Sequence, residues 1–192
     1  MFISTTKILS VALAITSYVS AAPVDLVERA SNTIIGYRTV PKERGEAYNK
    51  AGTVVWYPAS GVQLGDVVYL SPGAGEWAGG ATSMYCVIHA DTTKWAAAKK
   101  AWIPETANGE TLWYKPTNID KYLKDTLHKA PDETLRLSKI SGKEDLQLGI
   151  PKKMLGKTGD LGLTASCVDK VADLGTHTID YRTLANTVGT AQ

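Results

Sequence analysis

Thr33-Ile34-Ile35-Gly36-Tyr37-Arg38-Thr39-Val40 reads as a β-strand, and Pro41–Lys50 (PKERGEAYNK) directly behind it reads as a short helix. β-Branched and aromatic residues fill the first stretch, while Pro41 suits a first helical turn and Gly52 a stop. Strand signals follow with no long helix between them, at Thr53–Tyr57 (TVVWY), Asp66–Leu70 (DVVYL) and Met84–His89 (MYCVIH). A helix is expected from Asp91 to about Lys100, with Asp91 as its N-cap. Short strands are expected at Ala101–Ile103 and Thr111–Tyr114. A further helix, capped by Asn118 and ended by Pro131, carries Ile119, Tyr122, Leu123 and Leu127 at helical spacing. The chain then returns to strands at Leu135–Ile140 (LRLSKI), Glu144–Ile150 (EDLQLGI) and Thr178–Leu184. This order lacks the steady strand–helix alternation of a doubly wound fold. It predicts a single α+β domain with a central, mostly antiparallel set of strands and short flanking helices.

Composition sets the outer bounds. Of 192 residues, 44% are hydrophobic and 21% charged, ordinary proportions that exclude disordered and collagen-like chains. Lys+Arg number 21 against Asp+Glu 19, a net of +2, so nucleic acid is not an expected partner. Tyr 9 and Trp 5 against Phe 1 favour aromatic rings with polar handles, as at a cleft or contact surface.

Residues 1–21 read as a secretory signal peptide: Lys7, then the apolar run Ile8–Tyr18, then Val19 and Ala21 before the cut. That run is too short to cross a bilayer, and no other approaches the required length, so the expected product is soluble, secreted and extracellular. Residues 22–34 read as a flexible leader or propeptide, and 35–192 as the domain. The mature chain of about 170 residues can bury a sizeable core. In an oxidising compartment, the two cysteines most simply form a Cys86–Cys167 disulfide; the other reading is two buried thiols. Its loop of about 80 residues would contribute roughly 4 kcal/mol.

Several common sites are missing. Gly73 and Gly75 in Ser71-Pro72-Gly73-Ala74-Gly75-Glu76-Trp77-Ala78 formally match a dinucleotide fingerprint. Too few residues follow before Met84 for the helix that motif needs. His89, His128 and His177 have no metal-site spacing, so no metal is expected. No Gly-x-Ser-x-Gly elbow occurs.

Three separated pieces remain: Gly36-Tyr37-Arg38-Thr39, Leu64–Ser71 (LGDVVYLS) and Glu144–Pro151 (EDLQLGIP). Together with Tyr85-Cys86-Val87-Ile88, and in this order, they resemble the Arg–Ser–Glu branch of the ADP-ribosyltransferase-like proteins. That branch includes heat-labile-enterotoxin-like proteins and secreted fungal effector-like relatives. The resemblance covers about residues 35–151 and implies that family's split antiparallel sheets. It also implies an effector or toxin, expected to be a monomer, that transfers ADP-ribose from NAD to an unknown acceptor such as a host protein.

The resemblance gives each residue a role. Arg38 would bind an NAD phosphate through its planar fork. Ser71 would brace the nicotinamide pocket, Gly73 and Gly75 would let a loop close over it, and Trp77 or Tyr69 would stack on the ring. The acidic position of the last motif is occupied by Gln147, with Asp145 and Glu144 as the neighbouring candidates. Glutamine keeps a hydrogen bond but supplies no charge, so weak or absent turnover is expected. The same fold acting as an inactive binding module is the first alternative. The second is an unrelated carbohydrate-binding domain, for which the aromatic residues would form a row on one exposed sheet face.

Overall fold

Period-two alternation sorts the strand side chains into two layers. The computed structural model describes residues 31–59 and 62–191. The expected signal peptide and leader residues 22–30 lie outside the described residues. The end of that leader, Asn32–Ile34, forms the start of the first strand.

The strands are β1 (Asn32–Pro41), β2 (Val67–Leu70), β3 (Ser83–Asp91), β4 (Lys99–Trp102), β5 (Thr106–Ala107), β6 (Glu110–Thr111), β7 (Thr134–Lys139), β8 (Leu146–Pro151), β9 (Thr164–Val168) and β10 (Thr187–Val188). The α-helices are α1 (Lys42–Ala51), α2 (Thr92–Ala97) and α3 (Pro116–Lys121). One sheet is antiparallel, in the order β1-β3-β9. The other runs β10-β4-β7-β8-β2, and β5 and β6 make a separate hairpin. In the larger sheet, β2, β8 and β7 pair antiparallel, while β4 runs parallel to both β7 and β10. The result is an α+β domain in which antiparallel pairing dominates.

The main core fills the space between the two sheets. Met84, Cys86, Ile88 and Ala90 are buried along β3, while Tyr85, Val87 and His89 between them are only partly covered. Leu135 and Leu137 of β7 and Leu146, Leu148 and Ile150 of β8 meet the same core. The opposite face of the larger sheet carries a second cluster. There Leu64, Leu112, Trp113, Ile119 and Leu123 cover Val67, Ala101 and Ile103. Arg136, Ser138 and Gln147 are buried as well, at positions that alternate with the core leucines.

The sheets are joined at one seam. Tyr37 of β1 and Ser71, just past β2, exchange backbone hydrogen bonds of 2.9 and 2.8 Å. Gly36 beside this seam must lack a side chain, because a Cβ would come within 2.5 Å of the Tyr181 hydroxyl and 2.7 Å of Leu70.

Cys86 and Cys167 are directly opposed on β3 and β9 and form a disulfide. The outer edge of β9 is covered by a side chain. Asn49 of α1 donates to the Cys167 carbonyl at 2.9 Å and accepts from its N–H at 2.8 Å. An amide group presents the same donor and acceptor pair as a strand, so it satisfies an edge that would otherwise be open.

Some elements differ from the sequence expectation. Thr53–Tyr57 forms no strand; its residues pack as an irregular segment, with Thr53 Oγ1 donating to Leu163 O at 2.7 Å. The helix expected from Asp91 to about Lys100 stops at Ala97, because Lys99 already begins β4. Asn118 does not cap α3, which starts at Pro116; its side chain donates to Thr111 O instead. A π-turn over Tyr122–Thr126 extends that helix, and His128 ends it in a left-handed conformation with φ 53°. The expected strand at Thr178–Leu184 is an isolated bridge to Gly73 followed by a 3-10 turn at Tyr181–Thr183.

Candidate functional site

β2 ends at the seam, and the chain then crosses Ser71–Gly80 in a glycine-rich loop. This loop is tied down from two sides. Thr39 Oγ1 donates to Trp77 O at 2.9 Å, and Ile179 N donates to Pro72 O at 3.1 Å. Beside the loop opens a cleft of about 490 Å³. Its aromatic walls are Tyr69, Trp77 and Tyr114, and its polar groups include Glu76, Gln63, Lys143 and Gln147.

The floor is a network of amides. Gln63 is buried, donates to Lys139 O at 2.7 Å and accepts from Ser141 N at 2.8 Å. Gln147 Nε2 donates to the same Lys139 carbonyl at 3.2 Å. Gln63 thus clamps the β7–β8 hairpin to the turn before β2, and Gln147 ties the two strands of that hairpin together. The Gln63 carbonyl in turn accepts from Tyr114 N at 2.9 Å. Tyr114 holds a left-handed backbone with φ 63° and leaves its side chain 49% exposed at the cleft. A non-glycine residue in that region is strained, and strain of this kind concentrates at functional sites.

Tyr69 is the best anchored wall. Its hydroxyl accepts from Leu64 N at 2.7 Å and donates to Gly65 O at 3.1 Å. Burial pushes its ionisation well above the usual tyrosine range, against the pull of the Leu64 N–H bond. Glu76 is exposed, but its carboxylate folds back over Gly73, where a Cβ would come within 2.5 Å of Glu76 Oε1. Partial burial raises the Glu76 pKa, the Gly73 N–H opposes that rise, and the Asp145 charge adds to it.

The residues named by the sequence divide around this cleft. Tyr69, Trp77 and Gln147 line it together. Arg38 does not. It pairs across β1 and β3 with Cys86, which places it on the core-facing side of that sheet. Its Nη1 donates to Tyr69 O at 3.1 Å, and its Nε has no partner among the described residues. Arg38 therefore supports the strand that carries the Tyr69 wall. Ser71 is buried, and its hydroxyl is engaged with Gly73 O at 2.9 Å and Tyr37 O at 3.3 Å. Glu144 is exposed and pairs with Lys139 at 2.7 Å, which lowers its pKa. Asp145 lines an adjoining depression of about 400 Å³ with Glu76 and Arg182.

Gly75 has φ 74°, as a glycine turn requires, and packs against Val171. Glu76 and Tyr114 were not singled out from the sequence. Each is a lone polar or aromatic residue in a loop, and only the fold brings them together. Among the described residues, no three His, Cys, Asp or Glu side chains come together as a metal site would need. No helix among them is long and apolar enough to cross a membrane.

An α+β domain with an aromatic cleft beside a pinned glycine loop is the class that fold and site define. The chain belongs to a family described as a family of unknown function (DUF5910), which matches residues 62–190 and so takes in the whole cleft. Neither the curated proteins nor the solved structures yield a match.

Proposed function

We propose that this is a secreted, ADP-ribosyltransferase-like protein that binds the nicotinamide end of NAD in the aromatic cleft and turns it over slowly or not at all. The observation that carries the reading is how the side chains divide. Tyr69, Trp77 and Tyr114 line the cleft, while Arg38, Ser71 and Gln147 are engaged in internal hydrogen bonds. Ring faces suit stacking on a flat heteroaromatic group. The N–H of Trp77 is buried without a partner among the described residues.

Turnover needs negative charge placed beforehand near the ribose. Gln147 brings none, and its amide donor already serves the Lys139 carbonyl. A carboxylate at 147 would set a negative oxygen against that carbonyl. The disulfide agrees with an oxidising compartment. A carbohydrate-binding face is less well supported, because Tyr69, Trp77 and Tyr114 line a cleft instead of forming a row on an exposed sheet.

The test is calorimetric titration of NAD into the purified protein, with released nicotinamide measured by chromatography. Saturable binding with little release is expected, and Gln147→Glu should not speed release. Absence of binding overturns the reading. Rapid release by the natural protein overturns the claim of slow turnover.

A further inference from the structure

Glu76 is the only carboxylate among the residues that line the aromatic cleft, and Lys143 is the only cation there. Lys143 is exposed. The Glu76 carboxylate lies over Gly73 at the start of the loop, next to Trp77 in sequence. The loop itself is anchored through Trp77 O and Pro72 O. A carboxylate beside aromatic side chains is an arrangement that recognises a flat or quaternary cation. The ring quadrupoles and the negative charge both attract it, and neither gains from a neutral ring of the same shape.

We propose that Glu76 makes the cleft selective for a cationic ring, so that it distinguishes the oxidised nicotinamide, which carries a positive charge, from the neutral reduced ring. This rests on the nicotinamide reading of the cleft and adds the group that sets its specificity. Asp145, which faces Glu76 from the start of β8, adds negative potential. Arg182 in the adjoining depression opposes it from the far side. Gly73 is part of the device. Its backbone does not lie in the left-handed region, so alanine fits the chain there, but the methyl group would displace the Glu76 carboxylate.

Calorimetric titrations with NAD and with NADH, on the natural protein, Glu76→Gln and Gly73→Ala, test this. The natural protein should prefer NAD by on the order of tenfold, as one partly screened charge contact would give. Glu76→Gln should bring the two affinities within about twofold by weakening NAD alone, with NADH binding unchanged. Gly73→Ala should lose most of the preference in the same way. Equal affinity of the natural protein for both nucleotides overturns the role of Glu76 and leaves the nicotinamide reading standing. So does a preference that survives in Glu76→Gln. Failure of the natural protein to bind either nucleotide overturns the nicotinamide reading and this proposal together.

Discussion

Lys100 is an ammonium buried at 1% exposure on the core-facing side of β4. No carboxylate pairs with it among the described residues. It donates instead to Trp95 O at 2.9 Å and Ala98 O at 3.0 Å, closing the end of α2, and lies 4.4 Å from the centre of the Trp95 ring. Burial pulls its pKa from 10.5 to about 8. The folded chain thus releases this proton before the unfolded chain does. Between those two values the unfolded state binds more protons, so stability should rise with pH from about 8 towards 10. Above about 10 the buried tyrosines act the other way, since burial keeps Tyr69 protonated in the fold after it would ionise in the unfolded chain. Denaturant midpoints across pH 7–10 measure the rise, and Lys100→Met should abolish it. A midpoint that is flat or falls over that range would show that Lys100 keeps its proton. In the sequence, Lys99-Lys100 read as the polar end of a helix; its burial follows from the early start of β4.

At the scale of elements, β9 shows what a chain-by-chain reading overlooks. Leu161, Leu163, Ala165 and Cys167 are buried at every second position, a strand pattern present in LGLTASCV. Its small and polar members hid the period. Thr53–Tyr57 shows the converse: the residues have high strand propensity, but no neighbouring strand is left to pair with them. β4 was placed as a strand, but its parallel pairing with β7 depends on the long crossover through α3, which local pattern does not encode. The β9 edge also carries a prediction. Asn49→Ala removes both side-chain bonds to Cys167 and leaves a buried N–H and C=O unpaired. A loss of about 2–3 kcal/mol is expected in chemical denaturation, with the disulfide intact. Asn49→Asp should recover only the acceptor half. A loss well under 1 kcal/mol would mean that water serves the edge equally well.

For the whole molecule, the fold class and the disulfide pairing were legible because they depend on element order and on a count of two cysteines. The site was legible in part. Tyr69, Trp77 and Gln147 were named and share the cleft, since all three flank the β2–β8 end of the larger sheet. The orientation of Arg38 could not be read, because alternation leaves either sheet face open to it. Its pairing with Cys86 directs it to the core-facing side. Tyr114 reaches the cleft through a left-handed turn that carries no sequence signal without glycine or asparagine.

In the proposed function an aromatic cleft, rather than an arginine-lined one, holds the nucleotide. Titration of NAD into the natural protein and into Trp77→Ala separates the two. A stacked ring contributes roughly 1–3 kcal/mol by alanine substitution. Trp77→Ala should therefore weaken NAD binding by on the order of tenfold or more while the thermal midpoint stays within a few degrees. An unchanged affinity in a folded Trp77→Ala protein, or no measurable NAD binding by the natural protein, would contradict nucleotide binding in the aromatic cleft.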